Sequence, residues 1–145
     1  MRVSIGSDHA GFEQKEMLAG YLESQGVGVL DRGPENADRV DYPDYAALVA
    51  ADVAEGAVNF GVLVCGTGIG MAIAANKVHG IRAANIVRED FAPLAREHND
   101  ANIVTLSARF VPFEENCRIL DAFLATSFGG GRHAGRVDKI MALES

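Results

Sequence analysis

The stretch Val58 to Lys77 constrains the fold of this chain more than any other. It opens with the apolar run Val62-Leu-Val64, of the kind buried in a parallel sheet, and closes in an Ala-rich run that suits a helix. Between them stand Cys65 and three glycines, Gly66, Gly68 and Gly70, alternating with Thr67 and Ile69. Strand, thiol, glycine turn and helix in that order set Cys65 at the carboxyl end of a strand beside a helix N-terminus. Open α/β sheets bind their ligands there. The N–H groups of such a turn can hold an anion, and the helix end favours a thiolate.

The rest of the chain continues the alternation. Arg2–Ser7 reads as a strand, then Gly11 to about Gln25 as a helix with Phe12, Leu18, Tyr21 and Leu22 toward one face. Val27–Leu30 is a second strand. Asp31–Asp44, with Gly33-Pro34 and Tyr42-Pro43, reads as a loop, followed by a helix to about Glu55 carrying Tyr45, Leu48, Val49 and Val53. Gly61–Val64 is the third strand and Met71 to about Val78 a short helix. Ile81–Val87 is the fourth strand, and Asp90–His98 a helix with Phe91, Leu94, Ala95 and His98 on one face. Asn102–Leu106 is the fifth, and Phe113 to about Thr126 a helix burying Cys117, Leu120, Phe123 and Leu124. After Gly129-Gly-Gly131 a last helix covers Arg132–Glu144, with Val137, Ile140 and Met141 on one side. The expectation is α/β: a five-stranded parallel sheet covered on both faces, a three-layer, Rossmann-like αβα sandwich. One domain, 1–145, without repeat or linker, suits this length. Strand order does not follow from the pattern.

Bulk properties narrow the function. A net charge of -7 argues against a nucleic-acid partner. No apolar run is long enough to span a membrane, and the N-terminus enters a strand at once, so no signal peptide is expected. Cys65 and Cys117 form no motif, which points away from disulfides and toward a cytoplasmic location. In so acidic a chain, an anion needs a local cluster of Arg, His and backbone N–H groups.

Each candidate residue has a plain reading and a chemical one. Cys65 is a small buried hydrophobe or a reactive thiol. A cysteine phosphatase needs Arg six positions on, and Met71 stands there. The glycines spell G-x-G-x-G in the third strand–helix unit, not the dinucleotide fingerprint, and no nucleotide-phosphate loop is present. A small oxyanion is the better guest. Asp8 is a helix cap or a site carboxylate, with His9 beside it at the same sheet edge as Cys65. His98 is a core histidine or an imidazole reaching a cleft, with Asn99 and Asp100 following. Arg132 and Arg136 share a helix face around His133, as a solvated turn or a phosphate clamp. The four histidines and two cysteines show no zinc spacing.

Taken together, the chain resembles the type B ribose-5-phosphate isomerases and the related galactose-6-phosphate isomerases over nearly its whole length. The motifs are Gly6-Ser-Asp-His-Ala-Gly-Phe12, Asp41-Tyr-Pro43, Cys65-Gly-Thr-Gly-Ile-Gly70, Ala75-Asn-Lys77, Gly80-Ile-Arg82, His98-Asn-Asp100, and Gly130-Gly-Arg-His133 with Arg136. The resemblance implies an aldose–ketose isomerase working through an enediol, without metal or organic cofactor. It implies Cys65 as the base moving a proton between carbons 2 and 1, Thr67 assisting, and His98 opening the furanose ring with Asp8 on the sugar hydroxyls. It gives the enediolate oxygen to the loop from Gly66 through Gly68 and Ile69 to Gly70. It gives the phosphate to His9, Arg132 and Arg136 with Arg109, and sugar orientation to Asn99. Some members carry a carboxylate base one turn further on, so Cys65 puts this chain in the cysteine branch. The family also implies a homodimer, or a dimer of dimers, with sites built from two subunits and the last helix (about 132–144) packing on its partner. Asp8-His9 with His98-Asn99 favours ribose 5-phosphate, with sugar length read by the Gly33–Val40 loop. Allose or galactose 6-phosphate is the alternative substrate. A sugar-phosphate sensor that needs no Cys65 and a thiol-based redox or acyl-transfer enzyme are the readings from other classes.

Overall fold

The computed structural model describes residues 1–144, so Ser145, the end of the expected domain, lies outside the described residues. The order is β1 (Arg2–Ser7), α1 (Phe12–Ser24), β2 (Gly28–Asp31), α2 (Tyr42–Ala54), β3 (Phe60–Cys65), α3 (Ile69–Ala75), β4 (Ala83–Asn85), α4 (Phe91–Asn99), β5 (Ile103–Ser107), α5 (Phe113–Ala125) and α6 (Arg132–Met141). The strands form one parallel sheet in the order β2-β1-β3-β5-β4. The expected three-layer architecture is what the chain adopts. The central strand, β3, reads Phe-Gly-Val-Leu-Val-Cys and is apolar on both faces because helices cover both. Val62 and Val64 face the core under α1, α4 and α5; Leu63 and Cys65 face the core under α2 and α3. Register sets Val64 beside Ser7 and Cys65 beside Ser107, so the ends of β1, β3 and β5 share one edge.

Several boundaries differ from the sequence expectation. Helix α2 starts at Tyr42, not after Asp44, since Pro43 lies in its first turn, where proline lacks no needed N–H. Helix α3 starts at Ile69 because Gly68, at φ +84°, completes the turn before it. Strand β4 keeps only three residues. Asn76 closes its outer side, taking the Ala83 amide and donating to the Ala83 carbonyl. Leu48 is exposed, and α2 buries Ala46, Val49 and Ala50 instead. On α4 the expected face is only partly the buried one: Ala95 is buried as expected, but Phe91 and Leu94 are 51% and 44% exposed, and Ala92 and Arg96 are buried beside Ala95. Helix α6 stops at Met141 and packs on α4.

Candidate active site

Cys65 closes β3 with only 5% of its surface exposed. Its Sγ receives the Gly68 N–H at 3.1 Å. Thr67 Oγ1 receives the Ile69 N–H at 3.1 Å, which leaves its own hydroxyl proton free to donate. Gly68 admits no side chain: its φ is positive, and a Cβ would collide with Asn85 Oδ1. At Gly70 the same space is filled by the Tyr42 ring, and at Gly66 the Arg109 guanidinium lies 3.3 Å from where a Cβ would stand. The Arg109 amide also donates to the Gly66 carbonyl.

Asp8 and His9 follow β1 at this same edge. Asp8 is buried and its Oδ1 accepts the Gly11 N–H at 2.9 Å, so the plain turn-forming role is real for that oxygen. His9 Nδ1 lies 3.3 Å from the Val40 amide and 3.2 Å from the Val40 carbonyl, and so pins the segment between β2 and α2. The base of that segment is held by Lys15, whose buried ammonium reaches Asp31 and the Pro34 carbonyl at 2.9 Å each.

His98, Asn99, Arg132 and Arg136 stand elsewhere. Helix α4 runs back against the strands, so its last residues lie beside the start of β5, where the Asn102 amide meets the Arg82 carbonyl. The four steps of β5 from Ile103 to Ser107 put about 13 Å of strand between that edge and the Cys65 edge. Helix α6 lies along the far edge too: the Gly129 amide binds the Glu97 carbonyl, and Arg82 touches Met141. His133 stacks on His98 with ring centroids 4.4 Å apart and planes 16° from parallel. Burial first, then His98, Arg132 and Arg136, push the His133 imidazole below its ordinary proton affinity. A hollow of ≈ 670 Å³ opens here beside Asn99, Arg82 and Ile140. Within one chain the candidates therefore form two groups on opposite sheet edges: Asp8, His9, Cys65, Thr67 and Arg109, and His98, Asn99, Arg132 and Arg136.

Tyr42, Thr105 and Ser107 join the first group and were not singled out by the sequence reading. Tyr42 stood in a noted motif. Thr105 and Ser107 are polar at alternate positions of a strand otherwise Ile, Val and Leu, which is a legible signal. Cys117 is free and buried on the other face of the sheet, where burial pushes its thiol up to about 11. Among the described residues no group of three or more His, Cys, Asp and Glu comes together to hold a metal, and no helix is long and apolar enough to cross a membrane.

The family model described as Ribose/Galactose Isomerase matches residues 3–140. A curated relative from Mycoplasma pneumoniae, called a probable ribose-5-phosphate isomerase B, is 49% identical over 143 residues, covering 98% of this chain and 94% of its own. The solved ribose-5-phosphate isomerase B of Clostridium thermocellum superposes with a TM-score of 0.98 at 46% identity, over 99% of this chain and 97% of that one. That of Mycoplasma genitalium, described with bound ribulose-5-phosphate, gives 0.95 at 45% identity over 99% and 95%. With a match over nearly its whole length and relatives close to half identical, this chain belongs to the ribose/galactose isomerase family.

Proposed function

We propose that this chain interconverts ribose 5-phosphate and ribulose 5-phosphate through an enediol, with Cys65 as the base. The observation that carries the reading is the Cys65 loop: a nearly buried sulfur with an amide aimed at it, at the strand edge of an α/β sheet. Family membership and the Mycoplasma genitalium relative described with ribulose-5-phosphate supply the substrate class.

The proton on carbon 2 of the open-chain aldose is a weak acid beside its carbonyl. Cys65 thiolate takes it and the electron pair moves onto the carbonyl oxygen O1; the hydroxyl proton on O2 passes to O1, and the Cys65 thiol returns a proton to carbon 1 as the C2 carbonyl forms, leaving the ketose and the thiolate. The Gly68 N–H, 3.1 Å from the sulfur, is the hydrogen-bond donor that the loop presents to this base. Helix α3 has only seven residues, so the local hydrogen bond, more than a long helix field, is what the loop offers the sulfur. The loop amides, those of Thr67 and Gly70 foremost, meet the enediolate oxygen, where losing one preorganised donor typically costs about 10²–10³ in rate. Thr67 donates its hydroxyl proton to a reacting oxygen. Asp8 holds sugar hydroxyls through the oxygen not bound to Gly11. His98 moves the proton that opens the ring, and Asn99 orients the sugar. His9, Arg109, Arg132 and Arg136 hold the phosphate, whose binding positions the reacting carbons from a distance.

These roles require two copies of the chain. The Cys65 group and the His98 group lie on opposite edges within one chain, so a complete site takes one group from each subunit of a two-fold dimer. Exposed apolar side chains on the β4 side of the molecule, among them Ile73, Val87, Phe91, Leu94, Ile140 and Leu143, support such an interface. A free thiol base also fits a reducing, cytoplasmic setting.

The test is a metal-free isomerase assay with ribose 5-phosphate, allose 6-phosphate and galactose 6-phosphate. Turnover of ribose 5-phosphate with kcat/KM of about 10⁴ M⁻¹s⁻¹ or more is expected. A preference for a hexose phosphate moves the substrate and keeps the mechanism. No turnover of any of the three with reduced Cys65 overturns the reading.

A further inference from the structure

We propose that Thr105 and Ser107 are positioning residues that hold the Cys65 loop in its working orientation by drawing two of its carbonyls toward β5. The proposal rests on the reading of Cys65 as the base. Both side chains project from β5 onto the sheet face that carries Cys65, and their residues are 0% and 1% exposed. The Thr105 hydroxyl donates to the Gly68 carbonyl at 2.7 Å, with a longer contact of 3.3 Å to Asn85 Oδ1. The Ser107 hydroxyl donates to the Gly66 carbonyl at 2.8 Å. A buried hydroxyl in an otherwise Ile, Val and Leu strand costs desolvation unless it is used, and here both are used on the same loop.

The consequence follows from the peptide plane. A carbonyl and the next residue's N–H belong to one rigid trans unit and point in opposite directions. Fixing the Gly66 carbonyl on β5 therefore aims the Thr67 N–H away from the sheet, toward the space above Cys65. Fixing the Gly68 carbonyl aims the Ile69 N–H away likewise, and that amide is the one found on Thr67 Oγ1. It also steadies Gly68, whose own N–H meets the Cys65 sulfur. Ser107 has a second link: its Oγ accepts the Phe110 N–H at 3.1 Å while the Arg109 amide binds the Gly66 carbonyl, so the turn bearing Arg109 and the Cys65 loop are tied through one hydroxyl. Asn116 braces that turn from α5, donating to the Ser107 carbonyl at 3.0 Å.

The experiment compares Thr105→Val and Ser107→Ala with the hydroxyl-keeping Thr105→Ser and Ser107→Thr. The readouts are kcat, KM, the melting midpoint, and the rate of Cys65 alkylation by iodoacetamide at pH 7, followed by peptide mapping to separate it from Cys117. Loss of either hydroxyl is expected to lower kcat by about tenfold to a hundredfold, at or below the low end of what losing an oxyanion donor outright costs, while KM changes by much less. Thr105→Val also slows Cys65 alkylation several-fold, because Gly68, whose N–H meets the sulfur, loses one of the two anchors on its carbonyl and keeps only the Ala72 N–H. The hydroxyl-keeping variants recover most of both. Folded Thr105→Val and Ser107→Ala with kcat and alkylation rate within twofold of the parent overturn the proposal. So does a kcat loss that Thr105→Ser and Ser107→Thr fail to recover, since packing alone then explains it. Should a deletion variant not fold, Thr105→Ala and Ser107→Cys take its place under the same criteria. The alkylation rate needs no sugar substrate, so a parent protein inert toward all three sugar phosphates sinks the isomerase reading while this readout still decides the positioning role.

Discussion

Replacing Cys65 by Ala removes the sulfur but leaves the loop's carbonyls anchored on Thr105 and Ser107 and the apolar strand beneath it unchanged. Isomerisation is therefore expected to fall by the roughly 10²–10⁴ that a positioned proton-transfer group contributes, while calorimetry shows sugar-phosphate affinity retained. A loss of binding as large as the loss of turnover contradicts the base assignment. A second residue carries a prediction about acid stability. Buried Asp52 takes the Arg32 guanidinium at 2.7 and 2.8 Å and the Ser4 hydroxyl at 2.7 Å. The Arg32 hydrogen bonds dominate and hold its carboxyl below the usual carboxylate range, against the opposing effect of burial. The unfolded chain thus binds this proton at higher pH than the folded one. The stabilisation is complete above the ordinary carboxylate value of about 3.9 and disappears as pH falls through the depressed folded value. Asp52→Asn should cost about 2 kcal/mol at pH 7 and flatten the acid limb of the stability curve. Urea midpoints of the two proteins across pH 2–7 check this, and parallel curves refute it.

At the scale of elements, the alternation of strands and helices was legible because each buried strand is a short apolar run and each helix follows within a few residues. Cys65, Asp8 and His9 were legible as a group because carboxyl ends of parallel strands share an edge whatever the strand order. The inner face of α4 was only partly legible. Phe91, Leu94, Ala95 and His98 repeat at helical spacing, as a core stripe does, but of these only Ala95 is buried. The inward face uses two alanines and Arg96, whose guanidinium lies 4.8 Å from the Phe60 ring and donates to the Ala101 and Thr126 carbonyls at 2.7 and 3.1 Å. A spacing rule reads apolarity and cannot register a cation satisfied by carbonyls and aromatic faces. Arg96→Met keeps the bulk and removes every one of those hydrogen bonds, leaving two carbonyls and Asp100 Oδ1 without their donor while Arg82 still reaches Asp100 Oδ2. A loss of about 2–4 kcal/mol is expected, read as a drop in urea midpoint with unchanged slope. A midpoint equal to the parent's shows that the guanidinium is dispensable to the core.

At the scale of the molecule, the separation of the two residue groups is what the topology imposes. A parallel sheet sends every helix back to its start, so a side chain at the end of α4 cannot reach one at the end of β3 in the same chain. The alternation of strands and helices implies this sense for α4 as soon as the sheet is parallel; what it leaves open is the strand order, and so how far apart His98 and Cys65 stand. The proposed two-subunit site turns that geometry into a complementation experiment. Cys65→Ala disables the site half carrying the base, and His98→Asn the half carrying the ring-opening imidazole. Each variant alone is expected to turn over ribose 5-phosphate poorly. Co-refolded in equal amounts, half the dimers are mixed, and each mixed dimer holds one site with both groups intact and one with neither. Activity should return to about a quarter of the parent's. The recovery should vanish when the mixture is made from Cys65→Ala and a chain bearing both substitutions, since no site is then complete. If the first mixture stays as inactive as its parts while chromatography shows mixed dimers, the two groups do not act together across subunits, and the catalytic roles given to His98, Arg132 and Arg136 fall with that result.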